Sequence, residues 1–515
     1  MIVNTSPKPR LLIFIVAYYA QSTLADVLAR IPLALSELVE VAILVIDDGS
    51  TDQTFEIGEA IAAKGDIPFP IQVLFNPQNQ GYGKNQQIGY EYAITHQFDF
   101  VALLHGDGQY APECLPALIA PLLAGEADAV FGTRMQNGAQ ALRGGMPLYK
   151  FVGNKILTWL ENNLLGCNLS EFHSGYRIYA TSALKKIPFG LNTADFHFDT
   201  EIIIQLLFAK QRIVELPIPT YYGDEICRVN GMLYAGNVLL AVIKARLQSL
   251  GIFYAPNFDC QYEDHEQYQL KLDYQSPHSE VLKCIPKGSK VLDLGCAGGY
   301  VGELLKKEKG CYVVGVDFFP LSSHITLDEF YQCDLNGSLP EISWADFDYV
   351  LLLDIIEHLH HPENFLQALY QKLQLNQAVQ ILASTGNVAF VITRCMLFLG
   401  YFNYGKRGIL DLTHTRLFTR ASFLRLFLHA GFKVDQIKGI VAPFPLAFGK
   451  NGLSKLCLKM NAMAIRLSQG LFSYQLFLHA RNTPAVPYLL DQALLASEKR
   501  RQANLLKSTQ ESAQD

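Results

Sequence analysis

The sequence is short of charge: 17% of its 515 residues are Asp, Glu, Lys or Arg, while 50% are hydrophobic. Such a composition leaves little room for long disordered regions and suits large sheets buried on both faces. A basic excess is missing too. At a formal net charge of -6 the chain lacks the electrostatic footprint of a nucleic-acid binder, so nucleic acid is not an expected partner. None of the ten cysteines stand at CxxC spacing, which argues against a zinc site and a disulfide framework. Reduced, mostly buried thiols of a cytoplasmic protein are expected instead. Also lacking is any uninterrupted run of the ~20 apolar residues that a membrane helix needs. Residues 388–404 come closest, and Arg394 interrupts them. Lys8 and Arg10 before the apolar Leu11 to Ala20 imitate a signal peptide, but that run fits the first strand of the pattern below. Internal repeats are absent.

At 515 residues the chain exceeds what one hydrophobic core serves, so two or three domains are expected. The first half alternates strand and helix: strand at Leu11 to Ala17, helix at Ser22 to Leu35, strand at Val41 to Ile46 and a helix to Lys64. A strand at Ile71 to Phe75, a glycine turn and helix from Gly81, and strands at Val101 to Leu104 and Ala129 to Gly132 follow. This rhythm implies parallel strands joined by helical crossovers, with the loops 47–52 and 107–109 emerging on one sheet edge.

That edge is where open α/β sheets bind ligands. Asp107 and Gln109 follow an apolar strand on a glycine-flanked loop. A carboxylate and an amide oxygen there suit Mg²⁺ or Mn²⁺, which keeps open positions for substrate phosphates. Asp47 or Asp48 can accept from base or ribose donors. The turn Asn79 to Asn85 adds flexible backbone and the cation Lys84.

Over roughly residues 10–250 these motifs, with Ser174-Gly175-Tyr176-Arg177 and Phe198-Asp199-Thr200-Glu201-Ile202, resemble family 2 glycosyltransferases of the GT-A fold, in particular dolichyl-phosphate mannose synthase-like enzymes. The resemblance implies that Asp48 contacts the nucleotide, Asp107 and Gln109 the metal, and Arg177 the diphosphate or acceptor phosphate. Two departures stand out. Ala17-Tyr18-Tyr19-Ala20 lacks the usual Asn-Glu, and His105 replaces the first Asp of the DxD motif, although imidazole can itself ligate Mn²⁺. A polyprenyl phosphate acceptor is already anionic and needs no general base. For a hydroxyl acceptor Asp199 and Glu201 are candidates; two apart on a helix, they point to different sides. Arg228, in the loop after an extended segment 213–222, is a candidate phosphate clamp.

The second half restarts the rhythm. Lys290 to Leu294 reads as strand, Gly295-Cys296-Ala297-Gly298-Gly299 as a tight turn, and Val313 to Val316 as a strand ending at Asp317. Glycines admit the backbone to a nucleoside ligand, and the acid accepts ribose hydroxyls. Taken alone, this also fits NAD. With Asp293 before the turn, Cys333-Asp334-Leu335, Tyr349 to Leu359 and Gly408 to Phe418, residues 276–440 resemble class I S-adenosylmethionine methyltransferases of the ubiquinone O-methyltransferase type. The resemblance implies a cofactor site of Asp293, Gly295, Ala297, Gly299, Asp317, Asp334 and Asp354. His358 and His414 are candidate bases, and Asp354, Glu357 and His358 are alternatively a divalent-ion site. His360 and His361 precede Pro362 and read as a solvated turn.

The expected organisation is a GT-A domain over 1–255, a linker over 256–279, a Rossmann-like methyltransferase domain over 280–440 and a C-terminal helical extension and tail over 441–515. The helix from Met232 and the apolar segments past Val441 are expected to pack on their domains, with peripheral membrane contact as the alternative. The expected function is a bifunctional enzyme, moving sugar from a nucleoside-diphosphate sugar to a lipid phosphate or glycan and methyl from S-adenosylmethionine to an acceptor. The alternative is a methyltransferase with a non-catalytic first domain.

Overall fold

The computed structural model describes residues 7–136, 138–219, 230–250, 253–260, 270–376, 378–484, 489–490 and 493–501. The chain divides into two compact units, residues 1–249 with 253–264, and residues 250–252 with 265–515.

In the first unit the apolar runs become β1 (Arg10–Ala17), β2 (Glu40–Asp47), β3 (Ile71–Phe75), β4 (Phe100–His105), β5 (Ala129–Thr133), β6 (Arg177–Ala180) and β7 (Ile213–Pro217). They form one sheet in the order β3-β2-β1-β4-β6-β5-β7. Pairing is parallel except at β6, which runs antiparallel to β4 and β5. β1 lies centrally with Leu11 to Ile15 buried, as expected of a strand covered on both faces. Ala17 pairs with Asp47 and Val16 with His105, so the ends of β1, β2 and β4 do share one edge.

The expected helix over 22–35 is instead two short pieces, Leu24–Ala29 and Leu35–Leu38. Pro32 lies between them and cannot donate to a helix, and its ring biases Ile31 away from helical geometry. Arg228 lies outside the described residues, as do 220–222 of the extended segment.

The second unit carries β8 (Lys290–Leu294), β9 (Tyr312–Asp317), β10 (Glu329–Gln332), β11 (Tyr349–Leu353), β12 (Gln380–Gly386), β13 (Lys433–Ile440) and β14 (Gln475–Arg481). Their order is β10-β9-β8-β11-β12-β14-β13. β14 is antiparallel to both of its neighbours. The expectation of packed helices past Val441 therefore fails at this strand, whose Leu476, Phe477, Leu478 and Ala480 are all buried. A short apolar run buried on both faces has no periodicity that separates strand from helix. Pro256–Phe258, expected in the linker, belongs to the first unit. Among the described residues no helix is long and apolar enough to cross a membrane, and the cysteines are free.

Candidate active sites

The first site is the C-terminal edge of the first sheet. Asp47 is fully buried, and its Oδ1 accepts from Ser50 N–H at 3.1 Å and Ser50 Oγ at 2.5 Å, closing the loop onto itself. Burial pushes its carboxyl pKa up, with Ser50 opposing. Asp48, 3% exposed, accepts from Asn76 Nδ2 (2.8 Å) and Gln80 N–H (2.9 Å) through Oδ1 and from Gly81 N–H (3.0 Å) through Oδ2. The expectation that Asp47 or Asp48 faces a nucleotide meets two inward carboxylates: that of Asp47 closes the loop after β2 on its own Ser50, and that of Asp48 ties this loop to the glycine turn.

Asp107 lies on the loop after β4. Its side chain is exposed, with Oδ1 accepting from Gln109 N–H at 3.0 Å. Oδ2 keeps its lone pairs for a ligand. Gln109 is half-buried beside it. A hard divalent ion carried by one carboxylate and substrate phosphates requires little more from the protein, so Asp107 and Gln109 fit such an ion. His105 does not join them. Its Nε2 lies 3.3 Å from Tyr82 Oη, and a Cβ added to Gly175 would sit 2.6 Å from that same Nε2. The ring thus points into the protein, where burial lowers its pKa. Its expected role as a metal ligand is not met by this orientation.

Beneath that loop lies a buried polar network. Tyr82 opens the helix Tyr82–Thr95 and donates its hydroxyl to Asp199 Oδ2 at 3.0 Å, while Gln86 Nε2 donates to Asp199 Oδ1 at 3.3 Å. Because the Tyr82 proton goes to Asp199, the His105–Tyr82 bond requires the Nε2–H tautomer of His105. Arg177 is fully buried and stands 3.4 Å from Asp199 Oδ1. Its Nε, Nη1 and Nη2 donate to the carbonyls of Ser174, Asp199 and Phe172 at 2.8, 2.9 and 2.8 Å. The expectation that Arg177 touches a phosphate is corrected: its donors are spent on backbone that shapes the loop before β6. Glu201 points to the other side of the helix. It accepts from Thr193 N–H at 2.7 Å and Asn257 Nδ2 at 3.3 Å, and burial raises its pKa. Neither acid faces solvent as a ready base.

No sequence motif singles out Tyr82, because a tyrosine in a glycine turn carries no chemical signature. Tyr18 and Tyr19 carry no motif signature beyond the missing Asn-Glu. They stand 41% exposed at the end of β1, ring centroids 4.5 Å apart, where aromatic faces can stack on a base.

In the second unit Gly295 and Gly299 have φ of +82° and +84°. A Cβ on Gly295 would meet Ile355 Cγ1 at 2.7 Å. Ala297 adopts φ +46° and donates its N–H to Asp317 Oδ2 at 2.7 Å, and Asp317 Oδ1 accepts from Phe319 N–H at 2.9 Å. Each Asp317 oxygen keeps a second lone pair for a ribose hydroxyl. Burial, with Asp317 adding to it, pushes the Asp293 carboxyl up to about 7. Asp334 is exposed, one oxygen accepting from Asn336 N–H at 2.9 Å. A turn closed to any Cβ at Gly295, beside two strand-end acids, fits an adenosyl cofactor.

Asp354 follows β11 with φ +51°, uncommon for a residue with a Cβ. Its oxygens accept from Ser384 Oγ at 2.7 Å and Gln475 Nε2 at 2.8 Å. Gln475 reaches Asp354 because its segment is strand β14, and no sequence motif carries that pairing. Burial, then Asp354, pushes Glu357 up to about 8, and its Oε1 accepts from Gly386 N–H at 3.2 Å. Among the described residues no three His, Cys, Asp or Glu side chains could hold a metal ion, so the alternative ion site at Asp354, Glu357 and His358 is not assembled. His358 and His414 do come together, ring centroids 4.8 Å apart. Their Nδ1 atoms lie 3.3 Å from the Thr413 carbonyl and 3.0 Å from the Ile409 carbonyl. Carbonyls only accept, so each ring carries Nδ1–H and leaves Nε2 as the basic nitrogen. Burial lowers the His414 pKa and favours its neutral form.

The family model described as glycosyl transferase family 2 matches residues 12–188, and the model of a methyltransferase domain matches residues 264–437. Over 204 residues the chain is 29% identical to the low-salt glycan biosynthesis hexosyltransferase of Haloferax volcanii, covering 39% of this chain and 45% of that one. The chain thus spans less than half of that relative's length. Over 213 residues it is 26% identical to the polyprenol monophosphomannose synthase of Mycolicibacterium smegmatis, covering 41% and 77%. Over 191 residues it is 27% identical to the mitochondrial ubiquinone biosynthesis O-methyltransferase of Schizosaccharomyces pombe, covering 34% and 66%.

Proposed function

We propose that the chain, whose residues 12–188 match glycosyl transferase family 2 and whose residues 264–437 match a methyltransferase domain, is a transferase that carries out both transfers. In this reading the first unit moves a sugar from a nucleoside-diphosphate sugar to a polyprenyl phosphate or glycan acceptor, with inversion. The second moves a methyl group from S-adenosylmethionine to an acceptor on the same glycan. The observation that carries the first half is Asp107, exposed on the strand edge with a carboxylate oxygen open. The name of the polyprenol monophosphomannose synthase among the relatives supports the acceptor class.

Asp107 and Gln109 would hold Mg²⁺ or Mn²⁺, which supplies positive charge to the departing diphosphate. Asp47, Asp48 and Arg177 act from behind by holding the loops in shape. Tyr18 and Tyr19 offer the base a stacking surface. A lipid phosphate attacks as an anion, which suits a site whose acids Asp199 and Glu201 are turned inward. In the second unit the turn 295–299 and Asp317 would hold the adenosyl cofactor, which would supply an electrophilic methyl group. His414 Nε2 takes the proton of a hydroxyl nucleophile, with His358 beside it.

A peripheral position at a membrane follows from a lipid acceptor. The helix Leu148–Leu165 turns Leu148, Tyr149, Val152, Ile156 and Trp159 to solvent, 45–74% exposed, an apolar face that supports such a position. The second reading, a methyltransferase with a non-catalytic first unit, is favoured by the inward turn of His105. Mass spectrometry of lipid-linked and soluble glycans, with and without the protein, tests both: paired hexose and methyl increments support the two-reaction reading. A methyl increment alone, with nucleotide binding but no donor turnover, replaces it by the second.

A further inference from the structure

β13 and β14 are antiparallel neighbours, and a loop of two to five residues is enough to join such a pair. The chain instead spends residues 441–474 on the crossing, building the helices Phe444–Phe448 and Gly452–Leu467. The sheet does not require them. The longer helix buries Ser454 and Ile465 on one side. On the other it exposes Leu453, Leu456, Met460, Met463 and Leu467 by 54, 55, 62, 67 and 85%. Alternating spacings of three and four residues put these five in one stripe. A helix on the surface of a soluble domain normally shows solvent its polar face; this helix is inverted.

The charges are one-sided too. Lys455, Lys459 and Arg466 are exposed beside the stripe, and the helix contains no Asp or Glu. The apolar surface continues past the helix. Leu446 on the adjoining helix is 64% exposed. Phe444 shares a small apolar cluster with Val391, whose helix Val391–Phe398 ends in Phe398 and Leu399, 90% and 68% exposed.

We propose that the helix Gly452–Leu467 docks the second unit on an anionic lipid surface, its stripe in the acyl boundary and its three cations among the headgroups. An apolar face rimmed by Lys and Arg is the pattern of a helix lying in an interface, and anionic lipid attracts each cation. The helix has 16 residues, too short to span the bilayer core at roughly 20. A second copy would match the stripe's spacing, but it would set Lys459 and Arg466 of one helix among the cations of the other, with no acid in either to pair them.

The test does not depend on either transfer reaction. The full chain is floated with phosphatidylglycerol vesicles and with phosphatidylcholine vesicles; it should rise with the first and stay behind with the second. Lys455→Gln/Lys459→Gln should lower partitioning onto phosphatidylglycerol by roughly thirtyfold, at about a kilocalorie for each cation. Leu456→Gln/Met460→Gln should lower it as well, and retained S-adenosylmethionine binding shows that the variants are folded. Should either double variant lose its fold, Met463→Trp carries the test, since brominated phosphatidylglycerol should quench its emission. Flotation unchanged by both double variants, no flotation of the unaltered chain, or no quenching at position 463 overturns the proposal. So does a halving of the sedimentation mass in the Leu456→Gln/Met460→Gln variant, which assigns the stripe to a second copy.

Discussion

Asp48 and Gly81 are joined by a hydrogen bond, the Gly81 N–H donating to Asp48 Oδ2 at 3.0 Å. The same carboxylate takes two further donors from the loop 76–80. Asp48→Ala strips a buried acceptor from three donors, each worth about 1–3 kcal/mol when left unsatisfied. A drop in midpoint temperature of the first unit is expected, together with weaker nucleotide binding, read by thermal denaturation and calorimetry. Asp48→Asn should recover part of the stability. Unchanged stability with lost nucleotide affinity would restore Asp48 as a direct ligand.

Asp107 predicts the opposite pattern. Its side chain is exposed and accepts from the nearby Gln109 N–H, so Asp107→Ala should leave unfolding within about 0.5 kcal/mol of the parent. Glycosyl transfer should fall by several orders of magnitude, since a metal at a departing diphosphate contributes several kcal/mol. Near-normal turnover would remove the metal from Asp107.

Arg177 is fully buried against Asp199. Arg177→Met leaves that carboxylate without its cation, and breaking a buried pair in this way costs about 3–5 kcal/mol. Denaturant titration should show the loss without substrate present. A variant as stable as the parent but unable to bind diphosphate would return Arg177 to the phosphate.

The pH dependence has a definite sign. Asp293 and Glu357 are pushed up to about 7 and about 8, while unfolded carboxyls titrate near 4. Between those values the folded state holds more protons, so stability falls as pH rises. His278 and His414 have lowered pKa values and work in the opposite direction only below about 6.5, the unfolded value. The clean window is therefore pH 6.5 to 8, where unfolding free energy of the second unit should decline by on the order of 1 kcal/mol per pH unit. Asp293→Asn and Glu357→Gln should each flatten the slope. A profile that rises across this window contradicts the assignment.

Gly295→Val meets Ile355 at 2.7 Å and forces a branched residue to φ +82°. S-adenosylmethionine binding should be lost. Glycosyl transfer should survive within a few-fold, because the chain divides into two compact units and Gly295 lies in the second. Loss of glycosyl transfer from a protein that keeps its circular dichroism would show the two sites to be coupled.

Local pattern determined a great deal. Apolar runs of strand length separated by helical stretches specify two α/β sheets, because a strand buried on both faces must be apolar along its whole length. The acids at or near their ends, Asp47, Asp107, Asp293 and Asp317, mark one edge of each sheet, because parallel pairing sends strand ends the same way. Only the tertiary structure decided which of those acids look outward. Asp48 is claimed by donors from residues 76–81, and Arg177 by carbonyls at 172, 174 and 199, while His105 is turned toward Tyr82. No motif spacing carries those partners, since a side chain is oriented by whichever distant segment satisfies its hydrogen bonds. β14 follows the same rule: Leu476 to Ala480 are apolar enough for strand or helix, and the open slot between β12 and β13 makes them strand.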